Sequence, residues 1–97
     1  MYILNRPKLA SFFQKHQDAK KTLESWVKET EVARWCSFSD IKERYQSADV
    51  LKDNRVVFNV KGNNYRLIVK VNYSKGIVDI RFVGTHSEYD RVNAEKI

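Results

Sequence analysis

Five side chains in the second half of the chain have the chemistry to hold a phosphate and move a proton: Arg66, Lys70, Arg81, His86 and Tyr89. Arginine holds a phosphate through two parallel hydrogen bonds, and lysine adds a compact positive charge. Histidine exchanges a proton near neutral pH. Cleaving RNA without a metal ion needs a base for the 2′-hydroxyl, cations for the phosphorane and an acid for the leaving 5′-oxygen. The set contains a group for each of these steps.

Three runs of alternating apolar and polar residues predict the strands that carry these side chains. Successive residues of a strand point to opposite sides, so Arg66 and Lys70 share the face that points away from the core. The same alternation places Phe82 on the core side. The three runs are Val56–Val60, Tyr65–Tyr73 and Val78–Val83.

The first predicted hairpin turns at Gly62-Asn63. Glycine and asparagine tolerate the positive φ that a two-residue turn requires. With this turn Asn59 lies opposite Arg66, and Val57 lies opposite Ile68. A slip of one residue would turn an apolar row into water, so the hydrophobic pattern supports this register.

The second predicted hairpin turns at Lys75-Gly76. A two-residue turn there places Lys70 opposite Arg81 and Asn72 opposite Asp79. Two cations opposed across a strand pair repel each other. A polyanion bound on this outer face would relieve that repulsion.

The outer face and the adjoining first turn together predict an RNA-contacting surface. Its residues share an outward or turn position and a cationic or amide side chain. They are Asn59, Lys61, Asn63, Arg66, Lys70 and Arg81. An asparagine in or beside a hairpin turn also has a structural explanation of equal weight.

Composition limits the class of protein. The chain has 97 residues and a net charge of +6, with a pI near 9.6. This length suits one domain over residues 1–97, and the charge favours a nucleic acid or an acidic protein as partner. No apolar run approaches a membrane span and no signal peptide pattern is present, so we expect a cytoplasmic protein without membrane contact. One cysteine and two distant histidines predict no metal site, and we expect no cofactor.

The remaining elements predict an α+β fold. Asn5 and Pro7 signal the start of a helix that runs to about His16, and Asp18 opens a second helix. A capping box begins a short last helix, because the side chains of Thr85 and Glu88 can satisfy free amides there. We therefore predict an N-terminal strand and two helices packed on an antiparallel β-meander, followed by a short C-terminal helix.

Two segments carry a resemblance to a known family. VFNVKGNNYRL contains Asn59, Gly62, Asn63 and Arg66, and RFVGTHSEYD contains Arg81 and the Thr85–Asp90 run. Over residues 39 to 93 the chain resembles the HigB toxins of type II toxin-antitoxin systems, which belong to the RelE-like superfamily of mRNA interferases.

The resemblance implies a small RelE-like domain that is a metal-independent endoribonuclease. Its substrate would be mRNA on translating ribosomes, and its partner would be a HigA-type antitoxin that neutralises it. Carried over by position, Arg66 and Arg81 would bind phosphate. Lys70, His86 and Tyr89 would transfer protons or place the substrate, and the identity of the general base stays open among them.

Two other classes of protein fit the basic face. The first is a non-catalytic RNA- or ribosome-binding module, which would not need His86 or Tyr89 and usually exposes aromatic side chains on its sheet for stacking. The second is an interaction domain that binds an acidic protein and makes no RNA contact. A growth test with induced expression, with and without a candidate antitoxin, separates the three.

Overall fold

The computed structural model describes residues 1–62 and 64–97 and has an α+β architecture. Within these residues no helix is both long and apolar enough to cross a bilayer. Single turns of 3-10 helix lie at Gln17–Ala19 and Lys52–Asn54. In chain order the elements are β1 (Tyr2–Leu4), α1 (Pro7–Lys15), α2 (Lys20–Val32), α3 (Phe38–Arg44), β2 (Asp49–Leu51), β3 (Arg55–Val60), β4 (Tyr65–Asn72), β5 (Ile77–Thr85) and α4 (His86–Arg91).

The described strands form one mixed sheet in the order β1-β5-β4-β3-β2. β1 pairs with β5 in parallel, and the other neighbours are antiparallel. The predicted N-terminal strand, the two helices, the meander and the short last helix are all confirmed. The structure adds a short edge strand, β2, which pairs with β3.

The first two helices cover one face of the sheet because their apolar residues recur at helical spacing. Leu9 and Phe12 of α1 are buried, as are Leu23 and Trp26 of α2. Pro7 suits the first turn of α1, where its missing N–H would have no partner in the helix. His16 ends this helix, and its backbone N–H donates to the carbonyl of Phe12 at 2.9 Å. The ring of Trp26 packs edge-on against Phe58 of β3, with the centroids 5.5 Å apart.

The register of the first hairpin is confirmed. Asn59 pairs with Arg66, and Val57 pairs with Ile68. Residue Asn63 of the predicted turn lies outside the described residues.

The register predicted for the second hairpin is wrong. Asn72 pairs with Ile77, and Lys70 pairs with Asp79 instead of Arg81. The cause is the loop, which spans four residues from Tyr73 to Gly76 instead of two. The side chain of Asn72 stabilises this longer loop, because its Oδ1 accepts from the backbone N–H of Lys75 at 3.0 Å and from the hydroxyl of Ser74 at 2.9 Å.

A β-bulge at Arg81 changes which side chains face the core. Ile80 pairs with Val69, whereas Phe82 pairs with Ile68, so Arg81 is an extra residue in the ladder. The predicted core position of Phe82 is therefore wrong, and Val83 packs against the core in its place. The bulge is invisible in a simple alternation of apolar and polar residues.

The outer face of the sheet is less exposed than its sequence predicts. Val57 and Ile68 are 4% and 0% exposed, although neither belongs to the core between sheet and helices. α4 contacts β4 and β5, and the Nε of Arg55 donates to the carbonyl of Ile97 at 2.8 Å. Helix α4 and the segment after it thus cover the middle of this face.

Because Ile68 is fully buried under this cover, we expect its side chain to contribute strongly to the stability of the fold. We expect Ile68→Ala to lower the free energy of unfolding by about 2 to 5 kcal/mol, the usual range for a buried aliphatic side chain. Val32→Ala is the matched control, because Val32 is 82% exposed and its loss should change stability by less than about 0.5 kcal/mol. Urea unfolding measures both, and equal effects would mean that the outer face is open.

Candidate active site

The last helix begins with the predicted capping box. The Oγ1 of Thr85 accepts from the backbone N–H of Glu88 at 3.2 Å, and the Oε1 of Glu88 accepts from the backbone N–H of Thr85 at 2.8 Å. The bond from the Thr85 amide is the main cause that holds the pKa of Glu88 below its usual value. His86 and Tyr89 are not needed for the cap, so their side chains are available for other contacts.

Arg66 and Tyr89 meet at the C-terminal end of β5. The guanidinium carbon of Arg66 lies 5.7 Å from the centroid of the Tyr89 ring, within the range of a cation–π contact. The Nη1 of Arg66 also donates to the carbonyl of Tyr65 at 3.3 Å. These contacts hold a partly buried arginine over the ring of a tyrosine, an arrangement suited to binding a phosphate near a side chain that can donate a proton.

His86 lies on the same helix as Tyr89 and has a carboxylate neighbour. Its Nδ1 is 3.4 Å from the Oδ2 of Asp90, one turn further along α4. The side chain of His86 is 53% exposed, so a substrate can reach it. The structure therefore brings Arg66, His86 and Tyr89 to one end of the sheet.

Lys70 and Arg81 lie apart from that group and do not oppose each other. Lys70 is four residues from Arg66 on the same strand, about 13 Å along β4 at roughly 3.3 Å per residue. The Nε of Arg81 is 3.4 Å from the Oδ2 of Asp79, and the amide of Asn5 donates to the other oxygen of Asp79. The predicted repulsion between two cations is thus wrong, because a carboxylate occupies the position opposite Lys70.

Two predicted RNA contacts have partners within the protein. The amide of Asn59 donates to the carbonyl of Ser47 at 3.0 Å. The ammonium of Lys61 lies 3.5 Å from the Oδ2 of Asp18. Asn63, another predicted RNA contact, is outside the described part of the chain. Asn59 therefore has a structural role, as its place beside a hairpin turn allows, and Lys61 has an ion-pair partner that its sequence position does not reveal.

A group of cations on α1 was not predicted from the sequence. Lys8 and Lys15 line a groove between α1 and β5, together with Arg81. Glu88 also lines this groove, whereas the next residue, Tyr89, contacts Arg66 on β4. The first turn of α4 therefore separates two cationic surfaces. The spacing of seven residues between Lys8 and Lys15 puts both on one face of a helix and was the available signal.

Comparison with known protein families gives one match that covers most of the chain. A family model described as HigB_toxin, RelE-like toxic component of a toxin-antitoxin system, matches residues 19–92. No curated protein matches the chain. The matched region contains every residue predicted above for phosphate binding or proton transfer. Within residues 1–62 and 64–97, no group of three or more His, Cys, Asp or Glu side chains is arranged to hold a metal ion.

Proposed function

The chain belongs to the HigB toxin family, the RelE-like toxic component of a toxin-antitoxin system, and we propose that it is a metal-independent endoribonuclease that cleaves mRNA on translating ribosomes. The observation that carries the proposal is the contact of Arg66 with Tyr89 beside His86, in a chain of this family. A toxin of such a system has an antitoxin partner. We assign this partner to the HigA type, and the protein to the cytoplasm.

The proposed reaction is an internal transesterification of RNA. The 2′-oxygen forms a bond to phosphorus, and the bond between phosphorus and the 5′-oxygen breaks. A base on the protein takes the proton of the 2′-hydroxyl, and an acid gives a proton to the leaving 5′-oxygen. The products are a 2′,3′-cyclic phosphate and a 5′-hydroxyl, and no water or redox partner is consumed.

The arrangement of side chains supports separate roles in this reaction. Arg66 binds the phosphate undergoing attack, because its guanidinium can donate two parallel hydrogen bonds to phosphate oxygens. Arg81 and Lys70 hold the flanking backbone on the same sheet. His86 and Tyr89 are the proton-transfer candidates nearest to Arg66, and Lys70 is the third candidate.

Induced expression tests the proposal in cells. We expect the parent protein to stop growth and to fragment mRNA, and we expect co-expression of its antitoxin to restore growth. Arg66→Ala is the control, since a folded but inactive variant should allow growth at the same protein level. Growth arrest with intact transcripts would instead indicate the non-catalytic RNA- or ribosome-binding module.

Purified protein provides the chemical test. Cleavage of a defined mRNA, free and on ribosomes, should leave 2′,3′-cyclic phosphate ends, and cleavage of the free mRNA should continue in a metal chelator. Cleavage of the free mRNA that stops in the chelator, or cleavage that leaves 3′-hydroxyl ends, would contradict the proposed mechanism.

A further inference from the structure

A groove of about 360 Å³ runs between α1 and β5, and its lining includes Glu88 of α4 but neither Tyr89 nor Arg66. Phe12, Phe82 and Val83 form its apolar wall. Small-molecule sites commonly measure about 300 to 1,000 Å³, so the groove suits one nucleotide but not a folded partner.

Lys8 lies at the end of the groove nearest the start of α1, and Lys15, the last residue of α1, lies at the other end. The Nζ of Lys8 donates to the backbone carbonyl of Arg81 at 3.1 Å, which places these two residues side by side. Neither Lys8 nor Lys15 forms an ion pair with a described residue. The contact of Arg81 with Asp79 involves the Nε of Arg81. Its two terminal nitrogens make no hydrogen bond within residues 1–62 and 64–97. Asp79 and Glu88 neutralise part of this charge, but Lys8, Lys15 and Arg81 together leave an excess of positive charge, which favours an anionic ligand.

The end of the groove nearest the end of α1 contains an aromatic ring and a carboxylate. The ring of His16 packs between Phe12 and Tyr65, with centroid distances of 4.5 and 5.2 Å, so only its edge can meet a ligand. Its ring nitrogens make no hydrogen bond with the described residues. Glu88 lies near this end. The backbone N–H of Thr85 is the main cause that lowers the pKa of Glu88, and the positive charges of His16 and Lys15 lower it further. The charges of Glu88 and Lys15 offset each other at this end, so it suits an uncharged ribose or base better than a phosphate.

We propose that the groove binds one nucleotide of single-stranded RNA that flanks the cleaved bond, with its phosphate between Lys8 and Arg81 and its base toward His16 and Glu88. The inference rests on the proposed function, because it assigns a binding site for the same substrate. Sites for single-stranded RNA combine a positive groove that follows the backbone with aromatic side chains that contact bases. The strand would continue across the first turn of α4 to Arg66 and Tyr89.

Binding of an RNA oligonucleotide with 2′-O-methyl groups isolates this step, because such RNA has no 2′-hydroxyl proton and cannot be cleaved. The test variant is Lys8→Gln with Lys15→Gln. The control is Lys21→Gln with Lys28→Gln, which removes the same charge from exposed positions on α2. Fluorescence anisotropy over a range of salt concentrations gives the Kd and its salt dependence, and thermal melting confirms that both variants fold.

We expect the groove variant to raise the Kd about fivefold to tenfold at low salt and to flatten the slope of log K against log salt by roughly 0.7 for each phosphate that is no longer neutralised. The control should stay within about twofold of the parent. Equal weakening of RNA binding in both variants would mean that only the net charge of the protein matters, and it would overturn the proposal. A groove variant that binds RNA normally but no longer binds its antitoxin would overturn it in favour of protein docking.

Failure of the groove and failure of the proposed function give different results. If the parent binds the modified RNA through the groove but does not cleave unmodified RNA, the nuclease proposal fails and the groove stands. If the parent cleaves RNA and the groove variant binds as tightly as the parent, the groove proposal fails and the nuclease stands.

Discussion

Arg66→Ala should slow RNA cleavage by about 10-fold to 150-fold while the protein stays folded. The loss corresponds to about 1.5 to 3 kcal/mol for a charge-assisted hydrogen bond, at tenfold for each 1.4 kcal/mol. Removal of the cation–π contact with Tyr89 should cost at most about 1 kcal/mol of stability, because Arg66 is only partly buried. Arg81→Ala should act in the same direction.

Two companion variants make this result specific. Arg66→Lys keeps the charge but loses the planar fork, so it should recover only part of the rate if two parallel hydrogen bonds matter. Arg34→Ala removes the same charge from a position remote from α4 and should cleave like the parent. An Arg66→Ala protein that cleaves normally would exclude Arg66 as a phosphate ligand, and one that unfolds would make its role structural.

His86→Gln and Tyr89→Phe should separate proton transfer from stability. General acid–base groups contribute about 100-fold to 10,000-fold in rate, so at least one of the two variants should lose about 100-fold or more in single-turnover cleavage. Glutamine keeps hydrogen bonding but cannot exchange a proton near neutral pH. Phenylalanine keeps the ring beneath Arg66 and loses only the hydroxyl. Both variants should melt near the parent, because Thr85 and Glu88 make the helix cap without them.

The outcome also shows which of His86 and Tyr89 transfers a proton. A large loss in one variant and a mild loss in the other would identify one proton carrier and one residue that positions the base. Rates within a few-fold of the parent in both variants would remove His86 and Tyr89 from the proton-transfer step and leave Lys70 as the candidate to change next.

Local pattern predicted the elements and the first hairpin but not the second. Val57 opposite Ile68 follows from alternation together with the Gly62-Asn63 turn, because a slip of one residue would bury polar side chains. The second hairpin depends on one side chain, Asn72, whose hydrogen bonds close a longer loop. An asparagine in an alternating run reads as an ordinary outward residue, so the shift of register could not be seen.

The candidate site was only partly predictable for a related reason. The capping box has a sequence signature, and the structure confirms that Thr85 and Glu88 form it without the side chains of His86 and Tyr89. The groove instead depends on where α1 lies against β5, which is a tertiary property. The spacing of Lys8 and Lys15 indicates that they share one face of α1, but it does not indicate that Arg81 of β5 lies beside that face.

The bulge gives Arg81 an unusual tolerance to deletion. Loss of one residue from an inner strand normally turns all following side chains to the wrong face. Without residue 81, however, Ile80 would be followed directly by Phe82, and their partners Val69 and Ile68 are already consecutive. The ladder would become regular and every pairing on both sides would survive. A shortened chain of this kind loses a cation without losing the sheet, whereas removing Ile80 would force a guanidinium into the core.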